Sequence, residues 1–415
     1  MPLKSYEHCC STMQAMASLG KIEGVLPILH APQPCIYQIQ IGTMCCRPSR
    51  LLTMGTLIEQ GEIIFGGEDT LRKQIRNVYH THHPRVIVVL NTCVPQLIGE
   101  DIKGIIADLE DELKGCRLTY CDTGFKHPVA MATGNDVCWE AIVDVLEPQH
   151  RVDNSVGLLG RSGTDAGAFS SLTTFLRQAD IPFFTFPTTH IDTMEKITRA
   201  HFLYPIHVVP HLTSEKVAEK SGAPVIYAGI PSGVEGTTSF LRSIADQLRS
   251  QRLHDLVDRK EKEVTPEWET IKSRFAHNPV RVLHSGGPAS EFSMGKIMAE
   301  LGAEVFIVPT MKNPFAKKER EILTQRYGVS FIDEEFDTLN DLLEAYKPDL
   351  VFTEFQGQIE VTPHFKPAFI NMMYLAEYGY DFALDFGRNF HRSMESPVYK
   401  RWEELLKKYK GNVYA

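Results

Sequence analysis

The last two thirds of this sequence contain no cysteine, because all nine cysteines lie between positions 9 and 138. Any metal site that this chain builds from thiolates must therefore lie in its first third. The sequence also lacks an apolar run of roughly 18–20 residues, the length that spans a bilayer. Its first ten residues, MPLKSYEHCC, lack the apolar segment of a signal peptide. We therefore expect no membrane partner and a cytoplasmic location, in which disulfides do not form a framework.

The sequence also has fewer basic than acidic residues. The chain has 43 Lys and Arg against 52 Asp and Glu, for a formal net charge of −9. This balance argues against a nucleic-acid partner. The 415 residues exceed what a single hydrophobic core usually organises, so two or three domains are expected. The hydrophobic and charged shares, 43% and 23%, are ordinary for a globular protein.

Short apolar runs rich in β-branched residues alternate with amphipathic stretches along the chain. RVIVVLN (85–91) predicts a buried parallel strand, and IKGIIADLEDEL (102–113) predicts the helix that follows it. The same pattern predicts further strands at 223–229 and 368–373. Repeated strand–helix–strand units predict an α/β fold with three Rossmann-like domains, each a parallel sheet flanked by helices.

The pattern breaks near residues 150 and 270. We therefore predict a cysteine-bearing α/β domain at 1–150, a second Rossmann-like domain at 151–270 and a third at 271–415. The stretch 254–275 is highly charged and helical in character. It is interpreted as an exposed connector that ends the second domain.

Three cysteines lie in separate short segments at the junctions of predicted strands and helices. Cys10 opens CSTMQAMASLG, Cys35 ends LPILHAPQPC, and Cys93 lies in VIVVLNTCVPQLIGED. The gaps of 25 and 58 residues are too wide for a C-x-x-C zinc site. Cysteines spread in this way suit a large iron–sulfur cluster held between the ends of secondary-structure elements.

The alternative explanation is that these cysteines are small, buried apolar side chains. Cys9 neighbours Cys10 and could replace it as a ligand, although the spacing favours Cys10. The structural explanation is preferred for the remaining five cysteines, which are Cys45, Cys46, Cys116, Cys121 and Cys138.

Glycine-rich turns provide further candidates. In FGGED (65–69), Gly66 and Gly67 permit a tight turn before a helix that begins with acidic residues. The segments 160–167 and 284–295 lack phosphate-loop spacing and a Walker lysine, so they are interpreted as ordinary turns. The HTHHP run (80–84) is interpreted as a solvated helix end.

Three segments carry a family resemblance. CSTMQAMASLGKIEGVLPILHAPQPCIY (10–37), IIFGGEDTLRKQI (63–75) and VLNTCVPQLIGEDI (89–102) resemble nitrogenase component 1 in their order and spacing, and they are most similar to its β-type subunit. A weaker resemblance continues through TGNDVCWEAI (133–142) and IPSGVEGTTSFLRSI (230–244).

The resemblance implies an iron–sulfur site in the first domain. Cys10, Cys35 and Cys93 would ligate half of an eight-iron P-cluster-type centre, or a related [4Fe-4S]-derived centre, and the partner subunit would supply the other thiolates. Gly66 and Gly67 would let the backbone approach the cluster or a docking surface. Tyr37 could line the electron route, with core packing as the favoured alternative.

Three features depart from the family pattern. A serine that can bind the oxidised cluster in the β subunit is matched here by Ala130. The cysteine that holds the catalytic cofactor in the family's α-type subunit has no counterpart after Cys138, so His391 is interpreted as a loop or interface residue. Cys10 also lies close to the first residue, which favours a shorter nitrogenase-like relative over a standard dinitrogen-reducing enzyme.

The resemblance therefore implies an electron-relay subunit in an α2β2 heterotetramer. An ATP-dependent iron protein would donate electrons, and the catalytic metallocofactor would lie in the α-type partner. The preferred substrate class is methylthio-alkanes, whose carbon–sulfur bond would be reduced. The alternatives are a dinitrogen-reducing nitrogenase and a scaffold for cofactor assembly.

Overall fold

A computed structural model gives the fold of the chain. It describes residues 10–45, 54–124, 134–161, 166–276, 280–285, 290–334, 336, 338–353 and 378–395. The chain divides into two compact units. The first comprises Cys9–Ala166 and Ile181–Tyr227, and the second comprises Met1–His8, Gly167–Asp180 and Ala228–Ala415.

Strands and helices alternate along the described residues. The strands are β1 Val25–His30, β2 Met54–Gly55, β3 Val86–Asn91, β4 Arg117–Asp122, β5 Val156–Leu159, β6 Phe183–Phe186, β7 Phe202–Pro205, β8 Arg281–Ser285, β9 Glu304–Val308, β10 Ser330–Phe331 and β11 Leu350–Thr353. The helices are α1 Ser11–Leu19, α2 Gln33–Cys45, α3 Gln60–Phe65, α4 Glu68–His82, α5 Cys93–Ile98, α6 Ile102–Glu110, α7 Gly134–Asp144, α8 Ala166–Gln178, α9 Ile191–Met194, α10 His211–Ser221, α11 Gly233–Leu248, α12 Gln251–Ala276, α13 Ser290–Glu300, α14 Pro314–Tyr327, α15 Leu339–Tyr346 and α16 Tyr380–Glu395.

The first unit contains two parallel sheets among its described residues. One has the strand order β2-β1-β3-β4, and the other has the order β6-β5-β7. Strand β3 is buried along its whole length, because VIVVLN faces apolar side chains on both sides of the sheet. It pairs in register with β1 from Val25↔Val86 to His30↔Asn91.

The second unit contains a parallel sheet with the order β10-β9-β8-β11. Strand β8 lies between β9 and β11. The chain adds β9 and β10 on one side of β8 and then returns to add β11 on the other side. Leu283, Phe306 and Val351 pack on one face of this sheet with apolar side chains from α15. The fold class expected from the sequence is thus confirmed as α/β with parallel sheets flanked by helices. The boundaries near 150 and 270 remain a prediction.

Two expected elements differ in the structure. The run 223–229 forms only an isolated bridge, in which Val225 pairs with Leu203, instead of a strand. The charged stretch 254–275 belongs to α12, and it is not simply exposed. Its apolar residues recur at helical spacing and are buried, which joins the helix to α11 and α16; they are Leu253, Val257, Val264, Trp268, Ile271 and Phe275. The strand expected at 368–373 lies outside the described residues.

Helices long and apolar enough to cross a bilayer are absent from the part of the chain that the structure describes.

A buried carboxylate joins two helices of the first unit. Asp136 in α7 accepts hydrogen bonds from the backbone N–H groups of Leu212 (2.8 Å) and Thr213 (3.0 Å), and from the Thr213 hydroxyl (2.7 Å). These N–H groups belong to the first turn of α10, where a helix has no internal acceptors for them. Asp136 therefore caps α10 from a distant part of the chain.

We expect Asp136→Ala to lower the free energy of unfolding by about 2–4 kcal/mol, because buried donors would lose their acceptor. Chemical denaturation of the full chain would measure this change. Asp108→Ala is the matched control, because Asp108 is exposed and pairs with Arg72 on the surface, where ion pairs contribute little. Equal losses in the two variants would contradict the role assigned to Asp136.

Candidate metal centre

The three cysteines of the predicted site lie where helices begin. Cys10 is the N-cap of α1, Cys35 lies in the first turn of α2, and Cys93 is the first residue of α5. Helix α2 follows β1 after two residues, and α5 follows β3 after Thr92. Because β1 and β3 are parallel and in register, their carboxyl ends place Cys35 and Cys93 at the same edge of the sheet.

Side-chain hydroxyls tie these segments together. The Thr92 hydroxyl donates to the His30 carbonyl (2.7 Å), which joins the residue before Cys93 to the end of β1. The Thr12 hydroxyl donates to the Thr123 hydroxyl (2.8 Å), which joins the start of α1 to the end of β4. The beginning of α1, and with it Cys10, is therefore held at the same sheet edge.

The thiols lie within electrostatic reach of one another. Burial raises the pKa of the Cys35 thiol, and the charges of Cys93 and Cys10 raise it further. Cys35 is half-buried, whereas Cys10 and Cys93 are exposed. The structure therefore brings together the three cysteines that the sequence predicted to share a site.

The donor set distinguishes between kinds of metal centre. Within the described ranges, no group of three His, Cys, Asp or Glu side chains is arranged to hold a metal ion. Three thiols are one ligand short of the four that a structural zinc site uses. Soft thiolate donors are the ligands that iron–sulfur clusters use.

The other described cysteine side chains are buried. Burial raises the pKa of Cys116 to about 11, and it raises the pKa values of Cys121 and Cys138 as well. Neutral thiols packed in the core agree with the structural role expected for them. Cys9, Cys46 and the side chain of Cys45 lie outside the described part of the chain.

The FGG turn has the tight geometry that its glycines predict. Gly66 ends α3 with φ of +94°, a backbone conformation that favours glycine. Gly67 precedes α4, and its N–H donates to the Glu100 carboxylate. Tyr37 is 64% exposed, so it does not pack in the core of this chain. Cofactor contact by these three residues remains a prediction.

A buried polar network beneath the site was not predicted from the sequence. His30 Nε2 contacts a Glu100 carboxylate oxygen, and His30 Nδ1 lies 2.9 Å from the Thr56 hydroxyl. Both residues were visible inside the segments HAPQPC and IGED, but nothing in the sequence indicates that they meet. Their proximity depends on the register of the sheet.

The large apolar side chains that are exposed in the described residues cluster in one part of the sequence. They lie on α2 and α5, which carry Cys35 and Cys93, and on or next to α3, which packs against α5. We call this set the apolar surface; it consists of Tyr37, Ile41, Leu57, Ile63, Ile64, Phe65 and Leu97. Phe65 is 88% exposed and Ile64 75%, which is unusual for side chains of this type.

Histidines outside the site have local roles. His201 Nδ1 accepts from the Asn154 N–H, His207 Nδ1 accepts from the Val209 N–H, and His190 caps α9. Ala130 and the side chain of His391 lie outside the described residues.

Comparisons with known proteins bear on the family and the fold. The family model for nitrogenase component 1 type oxidoreductase matches residues 10–378. The nitrogenase iron-molybdenum cofactor biosynthesis protein NifE of Methanococcus maripaludis is 24% identical over 366 residues, which cover 83% of this chain and 74% of that protein. The light-independent protochlorophyllide reductase subunit N of Chloroflexus aurantiacus is 23% identical over 358 residues, covering 84% and 76%.

A solved structure titled nitrogenase Cp1 at pH 6.5 has the same fold. Its TM-score is 0.76 at 16% sequence identity, and the match covers 94% of this chain and 92% of that one. The resemblance seen in the three cysteine and glycine segments is therefore confirmed over nearly nine tenths of the sequence. This chain belongs to the nitrogenase component 1 type oxidoreductase family.

Proposed function

We propose that this chain is the cluster-holding subunit of a component 1 type hetero-oligomer, with Cys10, Cys35 and Cys93 as ligands of an iron–sulfur cluster. One observation carries the proposal. Three thiols from distant segments lie at one sheet edge within electrostatic reach of one another, and two of them are exposed. Such an arrangement leaves the outer side of a cluster open to ligands from another subunit.

The apolar surface supports the same proposal. It lies on the helices that carry Cys35 and Cys93, so a partner that covered it would also cover the thiols and exclude water. A bound iron–sulfur cluster supplies one-electron transfer. The chain supplies three thiolates, fixed helix starts and a surface for the partner subunit. Assembly as an α2β2 heterotetramer, docking of an ATP-dependent iron protein, and the β-type assignment belong to this proposal.

Two roles fit such a subunit, and the relatives favour cofactor assembly. NifE proteins from several organisms, each named for iron-molybdenum cofactor biosynthesis, recur among the similar sequences. In this role the chain and its partner would hold a cofactor precursor before its transfer to another protein. This is the role that we propose first.

Electron relay in a reductase is the second candidate. A nitrogenase molybdenum-iron protein alpha chain of Methanococcus maripaludis is 24% identical over 359 residues, and the subunit N relative carries a reductase name. Methylthio-alkanes are the preferred substrate class, and dinitrogen is the alternative. The two roles separate in one assay of the anaerobically purified complex with iron protein and ATP. Reduction of a methyl thioether or dinitrogen supports relay, whereas transfer of a metallocofactor to a cofactor-free acceptor supports assembly.

We expect Cys93→Ala to remove most of the iron from the anaerobically purified complex, because the cluster would lose one of three ligands from this chain. Cys10→Ala and Cys35→Ala are expected to have the same effect. Iron quantification together with the EPR spectra of the dithionite-reduced and oxidised states would measure the loss.

Cys116→Ala is the matched control for these variants. It removes a thiol that is buried in a separate core of the first unit, so the iron content should remain at the wild-type level. A colourless wild-type complex, or one whose iron is indifferent to Cys93→Ala, would show that the three cysteines are structural.

We expect Phe65→Asp to prevent stable association with the partner subunit. A carboxylate in place of Phe65 would be buried against the partner subunit without a counter-charge. It should weaken the binding free energy by about 2 kcal/mol or more, which is roughly a 30-fold increase in Kd. Co-purification of the two subunits and the mass of the complex in solution would measure it. Asn77→Asp adds the same charge on exposed α4 and should leave assembly unchanged; normal assembly of the Phe65→Asp chain would remove the apolar surface from the interface.

A further inference from the structure

One carboxylate connects three segments around the candidate metal centre. A Glu100 carboxylate oxygen contacts His30 Nε2, and its other oxygen accepts from the Gly67 N–H. The side chain of His30 is fully buried and that of Glu100 is 3% exposed. His30 is held from its other side by the Thr56 hydroxyl, 2.9 Å from Nδ1.

Each of these contacts leads to a part of the site. His30 ends β1, and Cys35 follows five residues later at the start of α2. Gly67 belongs to the FGG turn, which begins with the exposed residue Phe65. The backbone N–H of Glu100 donates to the Pro95 carbonyl (3.1 Å), which closes the helix that begins at Cys93. Loss of the Glu100 side chain would therefore alter the positions of both ligand-bearing segments and of the FGG turn.

Gly67 lies close to both members of this pair. A Cβ atom on Gly67 would lie 3.2 Å from a Glu100 carboxylate oxygen and 3.5 Å from His30 Cε1. A side chain at this position would have to displace the carboxylate by a few tenths of an ångström, so glycine favours the direct contact between its N–H and Glu100.

Glu100 carries a negative charge at neutral pH. Burial alone would raise its pKa, but hydrogen bonds from His30 and the Gly67 N–H, together with the charge of His30, hold the pKa below the usual value. Helix α5 spans six residues, about 9 Å at the helical rise, and Glu100 lies two residues beyond its last residue. Charges at such a distance act strongly where water is excluded.

We propose that Glu100 is a positioning residue for the cluster site, which holds the Cys35 and Cys93 segments in place and lowers the reduction potential of the bound cluster. This inference rests on the proposed function. Reduction adds one electron and one negative charge to the cluster, and a nearby carboxylate opposes that addition. A hydrogen-bonded group behind the ligands tunes a metal centre in this way.

Glu100→Gln tests the inference, because glutamine keeps an oxygen for the Gly67 N–H and removes the charge. The wild-type and variant chains are purified anaerobically with the partner subunit, and the midpoint potential is measured by EPR-monitored redox titration. We expect iron to be retained and the potential to become more positive. At the wild-type midpoint, the reduced-to-oxidised ratio should rise about tenfold, which is about 59 mV for a one-electron couple.

Glu112→Gln is the matched control. It removes the same charge from an exposed residue that pairs with Arg76, and it should leave the potential unchanged. A Glu100→Gln complex with full iron and the wild-type potential would overturn the inference. A wild-type complex without iron would instead overturn the proposed function, so the two failures are distinguishable.

His30→Gln provides a second test if Glu100→Gln does not accumulate with iron. Glutamine retains a donor for Glu100 and leaves the charge of the carboxylate in place. We expect the complex to keep its iron and the wild-type potential. A positive shift as large as the one expected for Glu100→Gln would overturn the inference, because the potential would then not follow the charge of Glu100.

Discussion

The in-register parallel pairing of β1 and β3 is the constraint on which the candidate metal centre depends. Six pairs join the strands from Val25↔Val86 to His30↔Asn91, so both strands end at the same level. Each chain segment then turns into a helix within a few residues, and each helix begins at or near a cysteine. A slip of one residue would turn His30 to the other face of the sheet and separate the two segments. The site is therefore a product of sheet register as much as of its ligands.

Much of this arrangement could be predicted from the sequence. The buried run of β3 and its following helices gave the parallel α/β class, and the three cysteine segments indicated a shared site. The contact between His30 and Glu100 could not be predicted, because the residues are 70 positions apart and meet only through a register that no local pattern encodes. Likewise, the many charged residues of 254–275 led to the prediction of an exposed connector. The apolar residues among them recur at helical spacing, and this spacing buries Trp268 on one face of α12.

The same sheet edge carries two chemically different surroundings. Beneath it, buried groups such as His30, Glu100 and Thr92 are matched with hydrogen-bond partners, which makes the helix starts rigid. Above it, the thiols of Cys10 and Cys93 and the apolar surface are left uncovered in the single chain. A subunit whose metal centre is completed by another protein needs both features: ligand segments held firmly from beneath, and thiols that the partner can still reach.

The first unit is discontinuous in sequence, and this affects how the protein is made. All three cysteines lie within the first 93 residues, but the unit that holds them also needs Ile181–Tyr227. Because synthesis proceeds from the N-terminus, the thiols leave the ribosome well before their own unit can close. More than 130 further residues must therefore be synthesised after Cys93 before its unit is complete. During this time the thiols are open to oxidation, which a reducing, oxygen-poor environment would prevent.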